Sequence, residues 1–205
     1  MTTPDESLRA AFLTVLAADV NAVLKALPMP RTAPTRETIG AITLGGEPLQ
    51  IPARIYCDEA LSEIIASLTE TQQRVLHCLY TRHHDGFVRQ RHLGFLLASN
   101  EVWTAPFVVQ LVGEYVLPIV VQIERELGAL HEAHFSAFLM ENEAFLRVTS
   151  ARVRSYWNAY FRSHDVPRSA HPGEVVLRRF EEWVKPRQAP CCETMHAPRG
   201  STQGV

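Results

Sequence analysis

This sequence predicts an all-α fold: stacked antiparallel helical hairpins, about seven helices, around a central apolar helix, with a small β-hairpin or extended insertion near 41–52. Three observations carry that prediction. Apolar residues recur at helical spacing through most of the chain. Capping residues, prolines and glycines mark where those segments start and stop. The run Val102–Leu127, VWTAPFVVQLVGEYVLPIVVQIEREL, is apolar on nearly every side, so as a helix it must be covered on nearly every side.

In chain order, Thr3 can cap the first helix, Pro4 suits its first position, and Glu6 completes a capping box. Leu8, Phe12, Val15, Leu16, Val23, Leu24 and Leu27 form its apolar stripe, and Pro28 and Pro30 stop it. Residues 28–40 read as a connector. Next, Ile42 and Leu44 alternate before Gly45-Gly46, and Leu49 and Ile51 alternate after it, which is the pattern of a small hairpin. Asp58 can cap a short helix to Leu68. Thr69 with Gln72 caps the next, whose apolar face is Val75, Leu76, Leu79 and Tyr80. It ends at His83-His84-Asp85-Gly86, and helix resumes from Phe87 to Ala98.

Asp85-Gly86-Phe87-Val88-Arg89, followed by Leu93, Leu96 and Leu97, resembles the turn and second helix of HEAT-type repeats, over roughly 30 residues (69–98). His92 and Gly94 stand where those repeats carry small helix formers. The resemblance implies stacked helical hairpins and a partner-binding role.

Thr104 and Pro106 open the central helix, and Pro118 bends it. Its polar residues Gln110, Glu114, Pro118 and Gln122 fall on one stripe. A membrane span is disfavoured, because Gln110, Glu114 and Gln122 lie inside the run and Glu124, Arg125 and Glu126 follow it. A strand reading of VVQLV yields to the length and to the stripe. A further helix covers His131 to Arg147. Thr149 or Ser150 then caps or kinks the path into an aromatic face of Val153, Tyr156, Trp157, Tyr160 and Phe161. Pro172 and Gly173 precede a last helix with Val176, Leu177, Phe180 and Trp183. The expected organisation is one helical domain over 1–185 and a disordered tail over 186–205.

The formal net charge is −2, so no global basic field favours nucleic acid or an anionic membrane. No export signal opens the chain, and Cys57, Cys78, Cys191 and Cys192 read as reduced thiols in a cytoplasmic protein. No nucleotide loop, dinucleotide fingerprint or nucleophile elbow is present, and no motif calls for a cofactor.

Three constellations could carry chemistry. Arg82, His83, His84, Asp85, Arg89, Arg91 and His92 crowd one inter-helix turn. His83, His84, Asp85 and Arg89 are therefore candidates for a metal or an anion; equally, Asp85 is the expected cap and Arg89 its partner. Glu114, with Gln110 beside it, is a carboxylate in an apolar helix. It reads as an ion pair with an arginine from 89–91 or 152–154, or as an acid with a raised pKa. Arg147, Arg152, Arg154, Tyr156, Trp157 and Tyr160 could stack single-stranded nucleic acid, but Trp157 and Tyr160 also sit at core spacing and the chain is not basic. His131 and His134, and the Cys191–Cys192 pair, lack chelate spacing.

Two functions follow. The first is a non-catalytic protein-interaction or scaffold module using the groove beside Asp85–Arg91, with Arg91, His92, Tyr156 and Trp157 as partner-binding candidates and a homodimer among the options. The alternative is a helical enzyme or ligand-binding protein using His83-His84-Asp85 for a metal or anion, with Glu114 as acid.

Overall fold

The computed structural model describes residues 4–28, 32–35, 42–163 and 167–185. Those residues form ten α-helices and one two-stranded antiparallel sheet. The all-α class with a small hairpin is therefore observed. The helices outnumber the expected seven because apolar segments read as continuous are broken by their tertiary contacts.

The first helix is one such case. Helix α1 (Pro4–Arg9) and helix α2 (Ala17–Ala26) are separated by an irregular segment and a 3₁₀ turn at Thr14–Leu16. The hairpin claims the segment between them. The backbone N–H of Gln50 donates to Ala10 O at 2.7 Å, and the Glu47 carboxylate accepts from the Thr14 N–H at 2.6 Å. Val15, expected in the apolar stripe, is 82% exposed because the break rotates the register. The expected cap Thr3 lies outside the described residues.

Strands β1 (Ile42–Leu44) and β2 (Glu47–Leu49) pair with Ile42 opposite Leu49. Gly45 and Gly46 both have positive φ, at 61° and 82°, as a two-residue primed turn requires. This short sheet is tied down from one side. The Asn142 side chain accepts from Thr43 N and donates to Thr43 O, at 2.8 and 2.6 Å, taking the place of a neighbouring strand. The Glu141 carboxylate accepts from Gly45 N and Gly46 N.

Helix α3 (Ser62–Ser67) starts later than Asp58 suggested, because Ala60 N–H donates to the Tyr80 phenol oxygen and holds 57–60 extended. Helix α4 (Glu70–Tyr80) carries the expected Thr69–Gln72 capping box, with both bonds formed. Helix α5 (Gly86–Leu97) packs back on it.

The central run is two helices, not one bent helix. A 3₁₀ turn at Val102–Thr104 leads into α6 (Ala105–Val112), and α7 runs Leu117–Arg125. Pro118 has no N–H to give and its ring clashes with a helical carbonyl four residues back, so it sits in the first turn of a new helix. Every residue of α6 is buried, and α6 touches α5, α7, α8, α9 and α10. The break at Gly113–Val116 takes Glu114 off the helix altogether.

Helix α8 (Glu132–Glu141) and helix α9 (Glu143–Tyr160) meet at Asn142, the residue committed to the hairpin. The expected kink at Thr149–Ser150 is absent, and both side chains are buried within α9. Helix α10 (Pro172–Val184) lies against α7, α8 and α9. The buried apolar side chains form one contiguous cluster from Leu8 to Trp183. No described helix is long and apolar enough to cross a membrane. The 186–205 tail, with Cys191 and Cys192, lies outside the described residues.

Candidate functional site

The turn between α4 and α5 is built mainly by backbone bonds. Ile55 N–H donates to Arg82 O, and His84 N–H donates to Ile55 O, so the 53–57 segment runs beside the turn. His83 is buried and its ring is fixed at both nitrogens. Nε2 lies 2.9 Å from Cys57 O, an acceptor, and Nδ1 lies 3.0 Å from the Asp85 N–H, a donor. The ring is therefore neutral with its proton on Nε2, and burial lowers its pKa. His84 is exposed and stacks on Tyr56 at 5.4 Å. Asp85 caps α5, accepting from Phe87 N–H at 2.8 Å. Among the described residues, no three of His, Cys, Asp or Glu are grouped to hold a metal.

Arg89 reaches back from α5 to the same turn. Its Nη1 donates to His83 O at 2.8 Å and to His84 O at 2.9 Å. Its Nη2 lies 3.6 Å from Glu114 Oε2. The Glu114 carboxylate also accepts from Arg82 Nη2 at 2.9 Å and from Arg54 Nη2 at 2.7 Å. Burial alone would raise the Glu114 pKa, but three guanidinium groups outweigh it and hold the carboxyl below its usual range. Burial brings Arg82 down to about 10. Glu114 is thus a charged anchor and not a neutral acid. Gln110, on α6, is buried. Of the arginines expected for this pairing, from 89–91 or 152–154, Arg89 makes it; Arg82 was noted in the turn, though not for this pairing. Arg54 was not foreseen, because it follows the hairpin in irregular chain where no periodicity aims a side chain.

A second polar cluster lies behind α5. The His92 Nε2 is 2.7 Å from Glu59 Oε1, and His92 Nδ1 is 2.7 Å from His77 Nδ1. A carboxylate can only accept, so His92 carries its proton on Nε2 and His77 donates from Nδ1. Arg91 forks onto the Glu59 carboxylate from the solvent side. Burial would raise Glu59, but the bonds from Arg91 and His92 bring it below its usual range. Burial, with His92 adding to it, pushes His77 down to about 4. His92, a candidate for contact with a partner, is only 2% exposed and serves this relay instead. Glu59 and His77 carried no sequence signal: one lies in a loop, the other on an apolar helix face.

The surface beside the turn is a groove of about 740 Å³ between α5 and α7. Phe87, Leu117, Pro118 and Val121 are its apolar lining, and Gln90, Arg91, Gln122, Arg125 and Glu126 complete it. Phe87 is 80% exposed at its lip. Gly94 lets the two helices close beneath it, since a Cβ there would lie 3.1 Å from Gln122 Nε2. Tyr156 and Trp157 do not line this groove. Both are half-buried, and Tyr156 meets Tyr115 edge to face at 6.2 Å.

No protein-family model, no curated protein and no solved structure matches this chain.

Proposed function

We propose that this chain is a non-catalytic protein-interaction module whose binding face is the α5–α7 groove. One observation carries the reading: Phe87 stands 80% exposed over an apolar floor of Leu117, Pro118 and Val121. A large aromatic left in water beside an apolar groove is a feature of docking surfaces. Its position is rigid, because Asp85 caps the helix that carries it and Arg89 pins the turn before it. At the rim Arg91 is already paired with Glu59, and Gln90, Gln122, Arg125 and Glu126 offer polar groups of both signs around the apolar floor, which suits a partner segment with apolar side chains and a mixed polar flank. The rival reading, an enzyme using His83, His84 and Asp85, finds support only for its anion, and in guanidinium groups more than in imidazoles.

Photo-crosslinking tests the proposal. A benzophenone amino acid in place of Phe87, in the full chain in its native cell, gives one discrete adduct, either a partner or a second copy. The same probe at Val15, equally exposed but outside the groove, does not. Indistinguishable adducts from the two positions, or none from 87, overturn it.

A further inference from the structure

Three cations meet one anion where the turn, the 53–55 segment and the α6–α7 break converge. Arg54, Arg82 and Arg89 each lie within 3.6 Å of the Glu114 carboxylate. No other carboxylate pairs with these arginines among the described residues. Three positive charges less one negative leave an excess of two.

The donors tell the same story. The Arg82 and Arg89 side chains are each 1% exposed. Arg82 Nε and Nη1 and Arg89 Nε are buried without a hydrogen-bond partner among the described residues. A guanidinium group out of water with idle N–H groups is costly, and native proteins give such donors an acceptor. Backbone carbonyls take only part of the set: Ala53 O accepts from Arg54 and Arg82, and His83 O and His84 O accept from Arg89. The cluster is not sealed. The Arg54 side chain is 23% exposed, and Tyr115, whose phenol interacts with Arg89, is 58% exposed.

We propose that this cluster is a binding site for a small divalent oxyanion, a phosphate dianion or a phosphoryl group, held by Arg82 and Arg89 and admitted past Arg54. The charge matches: a dianion cancels the excess of two. The donor chemistry matches as well, since tetrahedral oxygens accept from several forked N–H groups at once. Glu114 then acts as the fixed counter-charge that keeps three guanidinium groups together when the site is empty. This site stands apart from the α5–α7 groove and does not depend on the groove's having a partner.

The test is thermal unfolding of the full chain in inorganic phosphate, at constant pH and at ionic strength matched with chloride. The expected result is a saturable rise in Tm with phosphate. For Arg54→Gln the half-maximal concentration shifts upward at least tenfold. Glu114→Gln lowers Tm, and phosphate restores more than it adds to the wild type, because the lost counter-charge is replaced. Where a variant fails to fold, phosphorus NMR on the wild type decides: line broadening at sub-stoichiometric protein that sulfate reverses is expected. Phenyl phosphate separates the sources. Stabilisation equal to that by phosphate means the phosphoryl end of a larger molecule is taken, and stabilisation by phosphate alone means the free ion. A Tm that follows matched chloride equally well, no line broadening, or an Arg54→Gln response equal to wild type overturns the proposal.

Discussion

His77 holds a proton on Nδ1 only while His92 keeps its own Nδ1 bare, and His92 does so while Glu59 accepts from the far side of its ring. Protonating His92 at Nδ1 would set N–H against N–H at 2.7 Å. Burial therefore costs both imidazoles their charge, and His77 titrates near 4 in place of 6.5. The sign follows: the unfolded chain binds more protons between those values, so this contribution is complete above pH 6.5 and is lost as pH falls toward 4. The loss is on the order of 3 kcal/mol. Urea unfolding from pH 7.5 to 4 should show it, and His77→Gln should flatten that slope. Glu114 gives a second expectation. Glu114→Leu strips three guanidinium groups of their one carboxylate, and equilibrium unfolding should show a loss of about 3–5 kcal/mol. Of these two clusters, Glu114 and Arg89 were legible in sequence. A carboxylate inside an apolar run has to find a cation, and the turn supplied two, Arg82 and Arg89. Arg54, Glu59 and His77 were not legible, because each reaches its partner across the fold from a position with no local pattern.

Elements behave similarly. Where a boundary is set by local chemistry, the sequence announces it: the Thr69–Gln72 box, the Asp85 cap, and Gly45-Gly46 in the hairpin all stand as read. Where a tertiary contact sets the boundary, periodicity runs straight through it. Ala10 and Thr14 give up helix to the hairpin, and Asn142 divides what looked like one segment. Pro118 was seen, but a proline inside an apolar run allows either a bend or a fresh start, and only packing chooses. Two substitutions probe these joints. Asn142→Ala removes three bonds, to Thr43 N, Thr43 O and Phe138 O. With both strand groups left short of partners, it should cost about 2–3 kcal/mol, and hydrogen exchange should rise at Thr43 before the helices open. Gly173→Ala places a Cβ 2.7 Å from a buried Val153 methyl. Because β-branched Val153 cannot turn away inside α9, about 1–3 kcal/mol should be lost, visible as a lower Tm, although alanine favours helix elsewhere.

At the scale of the molecule, one helix buried on all sides organises the rest. Because α6 is covered by α5, α7, α8, α9 and α10, its neighbours' outer faces carry whatever the protein presents to others. On one of those faces α5 and α7 close through Gly94 at one end and open at Phe87 at the other. The Glu114 cluster and the Asp85 cap lie beside the open end, so the polar turn that drew notice in sequence would support the proposed binding face next to it. The all-helical class was legible because apolar spacing repeats along the chain. A groove beside Asp85–Arg91 was expected, but its far wall on α7 was not, since no pattern in one helix foretells the gap it leaves against another. The most direct test is calorimetric titration of the partner identified by cross-linking at position 87 with wild type, Phe87→Ala and Val15→Ala. The proposed face requires Phe87→Ala to bind at least tenfold more weakly, a loss of about 1.4 kcal/mol, with Val15→Ala unchanged and all three equally stable. Equal affinity of Phe87→Ala and wild type would contradict it.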